Sequence, residues 1–215
     1  MNFDEDLLRR LTTRLRGEAP GWTLPGWEAQ QCMATEVHRR ARLQPRPNAR
    51  RAAVLMLLYP HQGLTYLPMI VRPTYPGVHS GQIALPGGKV EPEDASLVAT
   101  AQRETEEEIG VRVPKAQIIG VLSELYIPPS NFIVTPVLAY TLAPPTYQPE
   151  PREVARVLDF PLAAFTEPSN VSTVRVKAMR GVTLEAPCYV IDGHTVWGAT
   201  AMMMSELLAV LEKEL

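Results

Sequence analysis

The sequence lacks an excess of charge of one sign and lacks any long apolar run. Among its 215 residues, 21 are lysine or arginine and 23 are aspartate or glutamate, which gives a formal net charge of -2. Such a balance provides no overall attraction to nucleic acids or anionic membranes. No segment approaches the roughly 20 apolar residues that a transmembrane helix needs. The sequence therefore predicts no nucleic-acid partner and no membrane partner, and any anionic ligand depends on local basic residues.

Cysteine is also scarce. Cys32 and Cys188 belong to no metal-ligand spacing such as C-x-x-C, and we expect both to be reduced, buried thiols rather than a disulfide. The first residues, MNFDEDLLRRL, are acidic and lack the apolar run of a secretory signal. Together these features predict a cytoplasmic protein.

The first fifty residues differ from the rest in pattern. Leucines at 7, 8, 11 and 15 predict a helix over residues 3–16, and a Pro/Gly-rich linker, APGWTLPGW, ends it. A second helix is predicted from Trp27 to Arg42. We therefore predict an N-terminal helical extension over residues 1–49 and a main domain over residues 50–215. Two arrangements stay open, since the extension can pack on its own domain or serve as the arm of a homodimer.

Segments of strand length follow from Arg51 onward. AAVLMLLY and TYLPMIVR predict two strands joined at HQG, and SGQIALPGG predicts a short strand that ends in a glycine turn. QIIGVLSELYIP and FIVTPVLAYTL predict two more strands. Pro68 and Pro136 indicate an edge or a bulge in the strands that contain them.

The C-terminal part mixes both kinds of pattern. REVARVLDFPLAAF predicts a short segment that leads to a helical turn, and VKAMRGVTLEAPCYVIDGHTVWG predicts two strands with a turn at IDGHT. The last segment, ATAMMMSELLAVLEKEL, predicts a helix with apolar residues at 203, 204, 207, 208 and 211. Strands flanked by helices in mixed order predict an α/β (α+β) fold, with a mixed sheet between helical layers.

The most informative stretch runs from Gly87 to Val111, GGKVEPEDASLVATAQRETEEEIGV. A helix over residues 95–109 is predicted, with Asp94 as its N-cap and Gly110 just after its end. Glu104, Glu107 and Glu108 are spaced i, i+3 and i+4, which places three carboxylates on one helical face. Such crowding opposes folding unless a cation lies among them, and carboxylate oxygens are ligands that Mg²⁺ prefers.

Residues 103–111, RETEEEIGV, resemble the R-E-U-x-E-E-x-G-U half of the Nudix box, with Thr105 at a position that is usually apolar. The resemblance implies a Nudix fold and a Mg²⁺- or Mn²⁺-dependent diphosphate hydrolase. It implies Glu104 and Glu108 as metal ligands, and Glu107 as a third ligand or a contact through water. The Gly87 carbonyl is a further candidate ligand. Arg103 is expected to fix the loop by ion pairing. Glu153 is a candidate general base from outside the box, and a plain surface glutamate is the alternative.

One residue more than the G-x5-E-x7-R spacing of the box separates Gly88 from Arg103. The position of the usual loop glutamate, counted back from Arg103, is therefore Ala95, and Asp94 lies one residue upstream. Asp94 is expected to cap the helix, to pair with Arg103, or to do both.

The extra residue resembles the coenzyme A pyrophosphatase branch of the Nudix family. Arg72-x6-His79-Ser80-Gly81-Gln82, followed by Pro86-Gly87-Gly88, resembles a signature of that branch, with Leu85 in place of Phe and Gly77 where an arginine is common. The branch implies cleavage of coenzyme A or acyl-coenzyme A to 3′,5′-ADP and (acyl-)4′-phosphopantetheine. The candidate substrate-binding residues are Arg51, Arg72, His79, Gln82 and Lys89, with Arg50 beside them.

Two rival functions stay open from the sequence. One is Nudix hydrolysis of ADP-ribose, NADH or a nucleoside triphosphate, which needs the same metal site. The other is a nucleotide-sensing module without catalysis, although three carboxylates ready for metal argue against it. Tyr126 and Phe132 are candidates for stacking on adenine.

Overall fold

A computed structural model describes residues 1–41, 43–74, 80–177 and 183–212. A mixed sheet lies between two helical layers, as the sequence predicts, and a small second sheet packs beside one layer. The helices are α1 (Glu5–Leu15), α2 (Trp27–Gln30), α3 (Glu36–Ala41), α4 (Leu97–Ile109) and α5 (Gly198–Glu212). The strands are β1 (Arg50–His61), β2 (Leu64–Val71), β3 (Ile83–Ala84), β4 (Gly87–Lys89), β5 (Ile118–Val121), β6 (Leu125–Ile127), β7 (Phe132–Tyr140), β8 (Arg156–Pro161), β9 (Val171–Lys177), β10 (Thr183–Ile191) and β11 (His194–Trp197).

Strand β1 is the centre of the large sheet. It pairs in parallel with β7 and antiparallel with β2 and β4, while β3 and β8 pair with β2, and β5 and β6 pair with β7. Its side chains alternate between two cores, because successive strand residues point to opposite faces. Ala53, Leu55 and Leu57 face α4, whereas Met56 and Leu58 pack in the core that contains α1 and α5.

The N-terminal segment packs on the rest of the chain through α1. Asp4 caps this helix by accepting a hydrogen bond from the Leu7 N–H at 2.8 Å. Leu7 and Leu11 are fully buried in the core beside α5. Arg14 donates to the Val210 carbonyl near the C-terminal end of α5, where a cation interacts favourably with the helix dipole. The homodimer and the domain boundary at residues 49 and 50 stay predictions.

Two predicted elements are split in the structure. The helix expected from Trp27 to Arg42 is α2, a 3₁₀ turn over Gln31–Met33 and then α3, because Ala34 adopts an extended conformation; Arg42 lies outside the described residues. The strand expected over QIIGVLSELYIP is divided into β5 and β6. The break occurs at Ser123, whose N–H donates to the Glu206 carboxylate at 3.1 Å instead of joining the ladder.

The two strand prolines lie where a strand changes partners. Pro68 lies between the part of β2 that pairs with β1 and the part that pairs with β3. Pro136 lies in β7, between the residues that pair with β6 and those that pair with β5. An edge position was the wrong expectation for both, since β2 pairs with β8 on its other side and β7 pairs with β1 on its other side. A missing N–H is tolerated at both places because the neighbouring strand is interrupted there.

Three strands were not predicted. Gly87–Lys89, where a glycine turn was expected to end the short strand, form β4 and pair with β1. Residues 156–161 form β8, which pairs with β2 over six residues, so the segment expected only to lead to a helical turn is itself a strand. Strand β9 precedes β10 and pairs with it, which gives three strands where two were expected. The predicted turn at IDGHT is confirmed, with positive φ at Asp192 and Gly193. Both cysteines are free; Cys188 is buried, but Cys32 is exposed, contrary to expectation.

Helix α5 is buried on nearly all sides, and it contains a buried carboxylate. The predicted apolar positions Met203, Met204, Leu207, Leu208 and Leu211 are buried, which confirms that part of the pattern. Glu206 is 0% exposed. It accepts hydrogen bonds from the Gly26 N–H at 3.2 Å, the Ser123 N–H at 3.1 Å and the Gln30 side chain at 2.8 Å. Among the described residues, no helix is long and apolar enough to cross a membrane.

We predict that Glu206→Leu lowers the free energy of unfolding by about 3 kcal/mol, because it removes the acceptor of the Gly26 and Ser123 N–H groups and one of the two acceptors of the Gln30 amide. Glu206→Gln is the matched control. Its amide oxygen can still accept from the two backbone N–H groups, so its loss is smaller. Urea unfolding followed by circular dichroism measures both. Equal losses in the two variants would contradict the assigned hydrogen bonds.

Candidate active site

Helix α4 carries the acidic face, and both its ends are fixed. It begins after Ser96, whose hydroxyl accepts from the Ala99 N–H at 3.1 Å, so Ser96 and not Asp94 is the N-cap. It ends at Gly110, which adopts the left-handed conformation expected there (φ 72°). Thr105, at the usually apolar position, is fully buried and donates to the Ala101 carbonyl at 2.7 Å. Its hydroxyl is thereby satisfied inside the core.

The glycine pair of β4 lies between the acidic helix and β1. Gly87 has φ +150°, and a Cβ there would lie 2.4 Å from the Ala53 carbonyl oxygen. Its N–H donates to Glu108 Oε2 at 2.7 Å. A Cβ at Gly88 would lie within 2.4 to 2.6 Å of the Glu104 carboxylate atoms. A side chain at Gly88 would therefore displace the Glu104 carboxylate, and a side chain at Gly87 would clash with the backbone of β1.

Arg103 joins the loop to the acidic face. Its guanidinium donates two hydrogen bonds to Asp94, each 3.0 Å long, and one to the Lys89 carbonyl at 3.1 Å. It also forms ion pairs with Glu104 at 3.0 Å and with Glu107 at 2.8 Å. One cation therefore neutralises part of the charge on three carboxylates, and the expected pairing of Asp94 with Arg103 is present.

Asp94 is the anchor of the loop between β4 and α4. Its side chain is 5% exposed. Besides Arg103, it accepts from the Glu91 N–H and the Thr100 hydroxyl, each at 2.9 Å. The hydrogen bonds from Arg103 lower the pKa of Asp94 well below its usual range, and these two bonds act in the same direction against the effect of burial.

The electrostatics of the acidic face favour an additional cation. Glu108 is 3% exposed, and burial raises its pKa to about 8, although the Gly87 N–H and the charge of Arg72 act in the opposite direction. Burial also raises the pKa of Glu104, opposed by Arg103. The ion pairs of Arg103 do not include Glu108. The innermost carboxylate is therefore the least compensated of the three.

A loop after β7 brings Glu153 to the same region. The N–H groups of Gln148 and Glu150 donate to the Ile109 and Glu108 carbonyls at the end of α4, each at 2.9 Å. The N–H of Glu153 then donates to the Glu150 carbonyl at 3.0 Å. The exposed Glu153 carboxylate contributes to the raised pKa values of both Glu104 and Glu108, so it lies within electrostatic range of them.

The predicted substrate-binding residues are distributed around this region. The charge of Arg72 acts to lower the pKa of Glu108. The backbone N–H of Arg72 donates to the carbonyl of Gln82, which is half-buried. Arg51 pairs with Glu124, and Lys89 pairs with Glu91 at 3.1 Å, so both basic groups are engaged with carboxylates. His79 lies outside the described residues.

The two aromatic candidates for stacking do not form one platform. Tyr126 pairs with Ile133 in the sheet, whereas Phe132, the residue before Ile133, points to the opposite face. Phe132 lies under the Arg50 guanidinium, which is 4.1 Å from the centroid of its ring. Tyr126 and Phe132 therefore do not face one ligand together, and stacking of either residue on adenine stays a prediction.

The arrangement fits a divalent cation in its donor chemistry. Carboxylate and carbonyl oxygens are the ligands of Mg²⁺ and Mn²⁺, and Glu108 is a buried carboxylate that a cation would compensate. Across the described residues, no three histidine, cysteine, aspartate or glutamate side chains already converge as a ligand set. The reason is visible at Arg103, towards which Glu104 and Glu107 both point.

Three residues of the site region were missed from the sequence. Thr100 supports Asp94, and its position six residues later, in the first turn of the helix, could have indicated this contact. Glu206 lies in the middle of an apolar stretch of α5, and a buried carboxylate in such a stretch requires hydrogen-bond donors, which the sequence could have indicated. Glu124, which forms an ion pair with Arg51, follows the unpredicted break at Ser123, and no pattern in the sequence indicated this pairing.

Comparison with known proteins agrees with this geometry. The NUDIX domain profile matches residues 49–178. The chain is 34% identical over 187 residues to the mitochondrial coenzyme A diphosphatase NUDT8 of Mus musculus, covering 86% of this chain and 88% of that protein. It is 35% identical over 174 residues to NUDT8 of Homo sapiens, covering 80% and 72%. A MutT/nudix family protein from Enterococcus faecalis has a TM-score of 0.52 at 14% identity, covering 98% of this chain and 76% of that one, and supports the fold alone.

The fold and the acidic helix thus define a hydrolase of the diphosphate-cleaving class. The chain belongs to the Nudix family. Nudix hydrolases generally use divalent metal ions.

The two glycines give a first test of the site. We predict that Gly87→Ala lowers the free energy of unfolding by about 3 kcal/mol, because its Cβ meets backbone atoms and its φ disfavours other residues. Gly88→Ala should cost less, since the Glu104 carboxylate can move away. Urea unfolding of the two variants is the measurement. A larger loss for Gly88→Ala than for Gly87→Ala would contradict the packing described.

Asp94 gives a second test, through pH. Because its folded-state pKa is lowered, its stabilising contribution is fully present above the unfolded pKa of about 4 and is lost as the pH falls through the folded value. The difference in unfolding free energy between the wild type and Asp94→Asn should therefore narrow below pH 4. Glu93→Gln, at an exposed carboxylate of the same loop, is the control. A constant difference from pH 7 to pH 3 would contradict the pairing.

Proposed function

We propose that the protein is a metal-dependent coenzyme A diphosphatase, which cleaves coenzyme A or acyl-coenzyme A to 3′,5′-ADP and (acyl-)4′-phosphopantetheine. The observation that carries the proposal is the acidic face of α4 held against Gly87 and Gly88, with Glu108 buried and accepting from the Gly87 N–H. The two relatives named as coenzyme A diphosphatases support the choice of substrate.

In this proposal, Glu104, Glu107, Glu108 and the Gly87 carbonyl hold Mg²⁺ or Mn²⁺. The bound ion would neutralise the diphosphate and lower the pKa of a water molecule. The uncompensated burial of Glu108 supports its role as a ligand, because a divalent cation would stabilise its ionised form. Arg103 positions the ligands, since it connects Glu104 and Glu107 to Asp94 of the preceding loop.

Glu153 is the proposed general base. Hydrolysis adds one water across the diphosphate: the attacked phosphorus gains the water oxygen, and the bridging oxygen leaves with the other phosphate. Glu153 would take the proton from that water. Its exposed carboxylate on a loop anchored to the end of α4 supports this role, as does its electrostatic effect on Glu104 and Glu108.

Five residues are proposed to bind the anionic substrate. Arg72 is the best supported by charge, because it already acts on Glu108, and its Nε is buried without a hydrogen-bond partner among the described residues. Arg51 and Lys89 would exchange their carboxylate partners for phosphate oxygens. Gln82 and His79 complete the set proposed from the sequence. A cytoplasmic location stays a prediction, and the two relatives are named as mitochondrial.

A substrate panel tests the choice of coenzyme A. Turnover of coenzyme A, ADP-ribose, NADH and a nucleoside triphosphate is compared with Mg²⁺ and with Mn²⁺. We expect the highest kcat/KM for coenzyme A, and reaction in ¹⁸O-labelled water identifies the phosphorus that is attacked. A higher kcat/KM for ADP-ribose would overturn the substrate, and tight nucleotide binding without metal-dependent turnover would overturn the enzyme.

We predict that Glu108→Gln lowers kcat by more than about 100-fold, since even the outer partners of a catalytic metal are typically worth 10–100-fold. The matched control is Glu106→Gln, on the same helix, where the exposed carboxylate lies 3.9 Å from Arg112. Steady-state kinetics with coenzyme A measures both. A near-normal rate in Glu108→Gln, or an equal loss in the control, would contradict the proposed ligand.

A further inference from the structure

A pocket of about 270 Å³ lies between the N-terminal segment and the edge of the large sheet. One wall comes from α2, α3 and the segment that leads to β1, and includes Trp27, His38, Leu43 and Pro45. The opposite wall comes from β6, β7 and the residue before β6, and includes Tyr126 and Glu124. We call this space the edge pocket.

The sheet wall of the edge pocket includes Glu124 and Tyr126, which lie on the same face of the sheet as the acidic helix. Gly88 pairs with Ala53 of β1, and Ala53 pairs with Thr135 of β7. The Thr135 hydroxyl donates to Glu124 at 3.4 Å, which continues this row to the pocket wall. Strands are spaced by roughly 4.8 Å, so three spacings place Glu124 about 14 Å from Gly88. A ligand whose diphosphate is at Gly88 can therefore reach the pocket along the sheet.

The lining favours an uncharged ligand. Trp27 and His38 pack against each other with ring centroids 5.3 Å apart, and Leu43, Pro45 and Tyr126 add apolar surface. Burial lowers the pKa of His38, so its imidazole is neutral near pH 7. Among the described lining residues, the charged side chain is that of Glu124, and Arg51 from outside the lining already pairs with it. The described lining therefore offers a phosphate no cation of its own, whereas amide and alkyl groups are suited to such a lining.

A buried hydrogen-bond network joins the two walls of the pocket. Gln30, which lines the pocket, donates to the Ser123 carbonyl at 3.2 Å and to Glu206 at 2.8 Å. Glu206 also accepts from the Ser123 N–H at 3.1 Å. The residue after Ser123 is Glu124, so this buried network connects the N-terminal wall to the sheet wall. The pocket is therefore preformed, which reduces the entropic cost of binding.

We propose that the edge pocket binds the pantetheine arm of the substrate, with any acyl group at its end, and that it sets the preference among acyl chains. The proposal rests on the proposed coenzyme A diphosphatase function. The arm consists of amides and alkyl groups without charge, and its backbone has about as many atoms as four extended peptide residues, which span on the order of 14 Å. That length equals the separation between Gly88 and the pocket wall. The adenosine half, with its 3′-phosphate, would then lie away from Glu124.

A variant that fills the pocket tests the proposal. Leu43 lines the pocket and is 48% exposed, so Leu43→Trp can add volume there without disturbing the core. The matched control is Leu142→Trp, at a leucine that is 71% exposed and does not line the pocket. Two substrates are compared: coenzyme A, and the β-methyl ester of 3′-phosphoadenosine 5′-diphosphate, which keeps the diphosphate diester and lacks the arm.

The readout is the ratio of kcat/KM for coenzyme A to kcat/KM for the methyl ester. We expect this ratio to fall at least tenfold in Leu43→Trp, chiefly through KM for coenzyme A, and to keep its wild-type value in Leu142→Trp. A wild-type ratio in Leu43→Trp would overturn the proposal.

Binding of pantetheine alone separates this proposal from the catalytic one. Saturation-transfer NMR should detect pantetheine bound to the wild type and to Leu142→Trp, with a loss of signal in Leu43→Trp. That result supports the pocket even if coenzyme A is not hydrolysed. Absence of pantetheine binding to the wild type, or equal binding to all three proteins, would overturn the proposed role of the pocket. The proposed metal site is tested separately by Glu108→Gln.

Discussion

The site depends on one cation, the guanidinium of Arg103. Helix α4 brings Glu104, Glu107 and Glu108 onto one face, where their mutual repulsion opposes folding. Arg103 reduces this repulsion by pairing with two of them, and its two hydrogen bonds to Asp94 tie the helix to the loop before it. Glu108 is outside these pairs and is buried. The protein therefore folds with its acidic face only partly neutralised, which is the condition for binding a further cation.

The surrounding structure serves this constraint in two ways. Gly88 leaves room for the Glu104 carboxylate beside β4, and Gly87 lets β4 lie against the backbone of β1 while its N–H donates to Glu108. At the far end of α4, the loop through Gln148 and Glu150 satisfies helix carbonyls and carries Glu153 to the acidic face. The first contact comes from β4, the element just before α4 in the chain, and the second from a loop that follows β7. The sheet order, with β4 and β7 on either side of β1, makes them neighbours.

Local patterns predicted the parts of the molecule that depend on local chemistry. Because helix geometry is regular, the sequence predicted three features correctly: the spacing of the glutamates, the left-handed conformation of Gly110 and the apolar face of α5. Pairing between distant segments could not be predicted from local patterns. Strand β8 forms because it lies beside β2, and β5 ends because the Ser123 N–H donates to Glu206. The cap was assigned to Asp94 instead of Ser96, since both are good capping residues and only the tertiary pairing with Arg103 separates their roles.

Direct binding of Mn²⁺ tests the central claim, that the acidic face of α4 is built to accept a divalent cation. Electron paramagnetic resonance of Mn²⁺ titrated with the protein, without substrate, reports the bound fraction. The account predicts saturable binding to the wild type that is strongly weakened in Glu104→Gln and unchanged in Glu106→Gln. Absence of binding to the wild type, or equal binding to all three proteins, would contradict it.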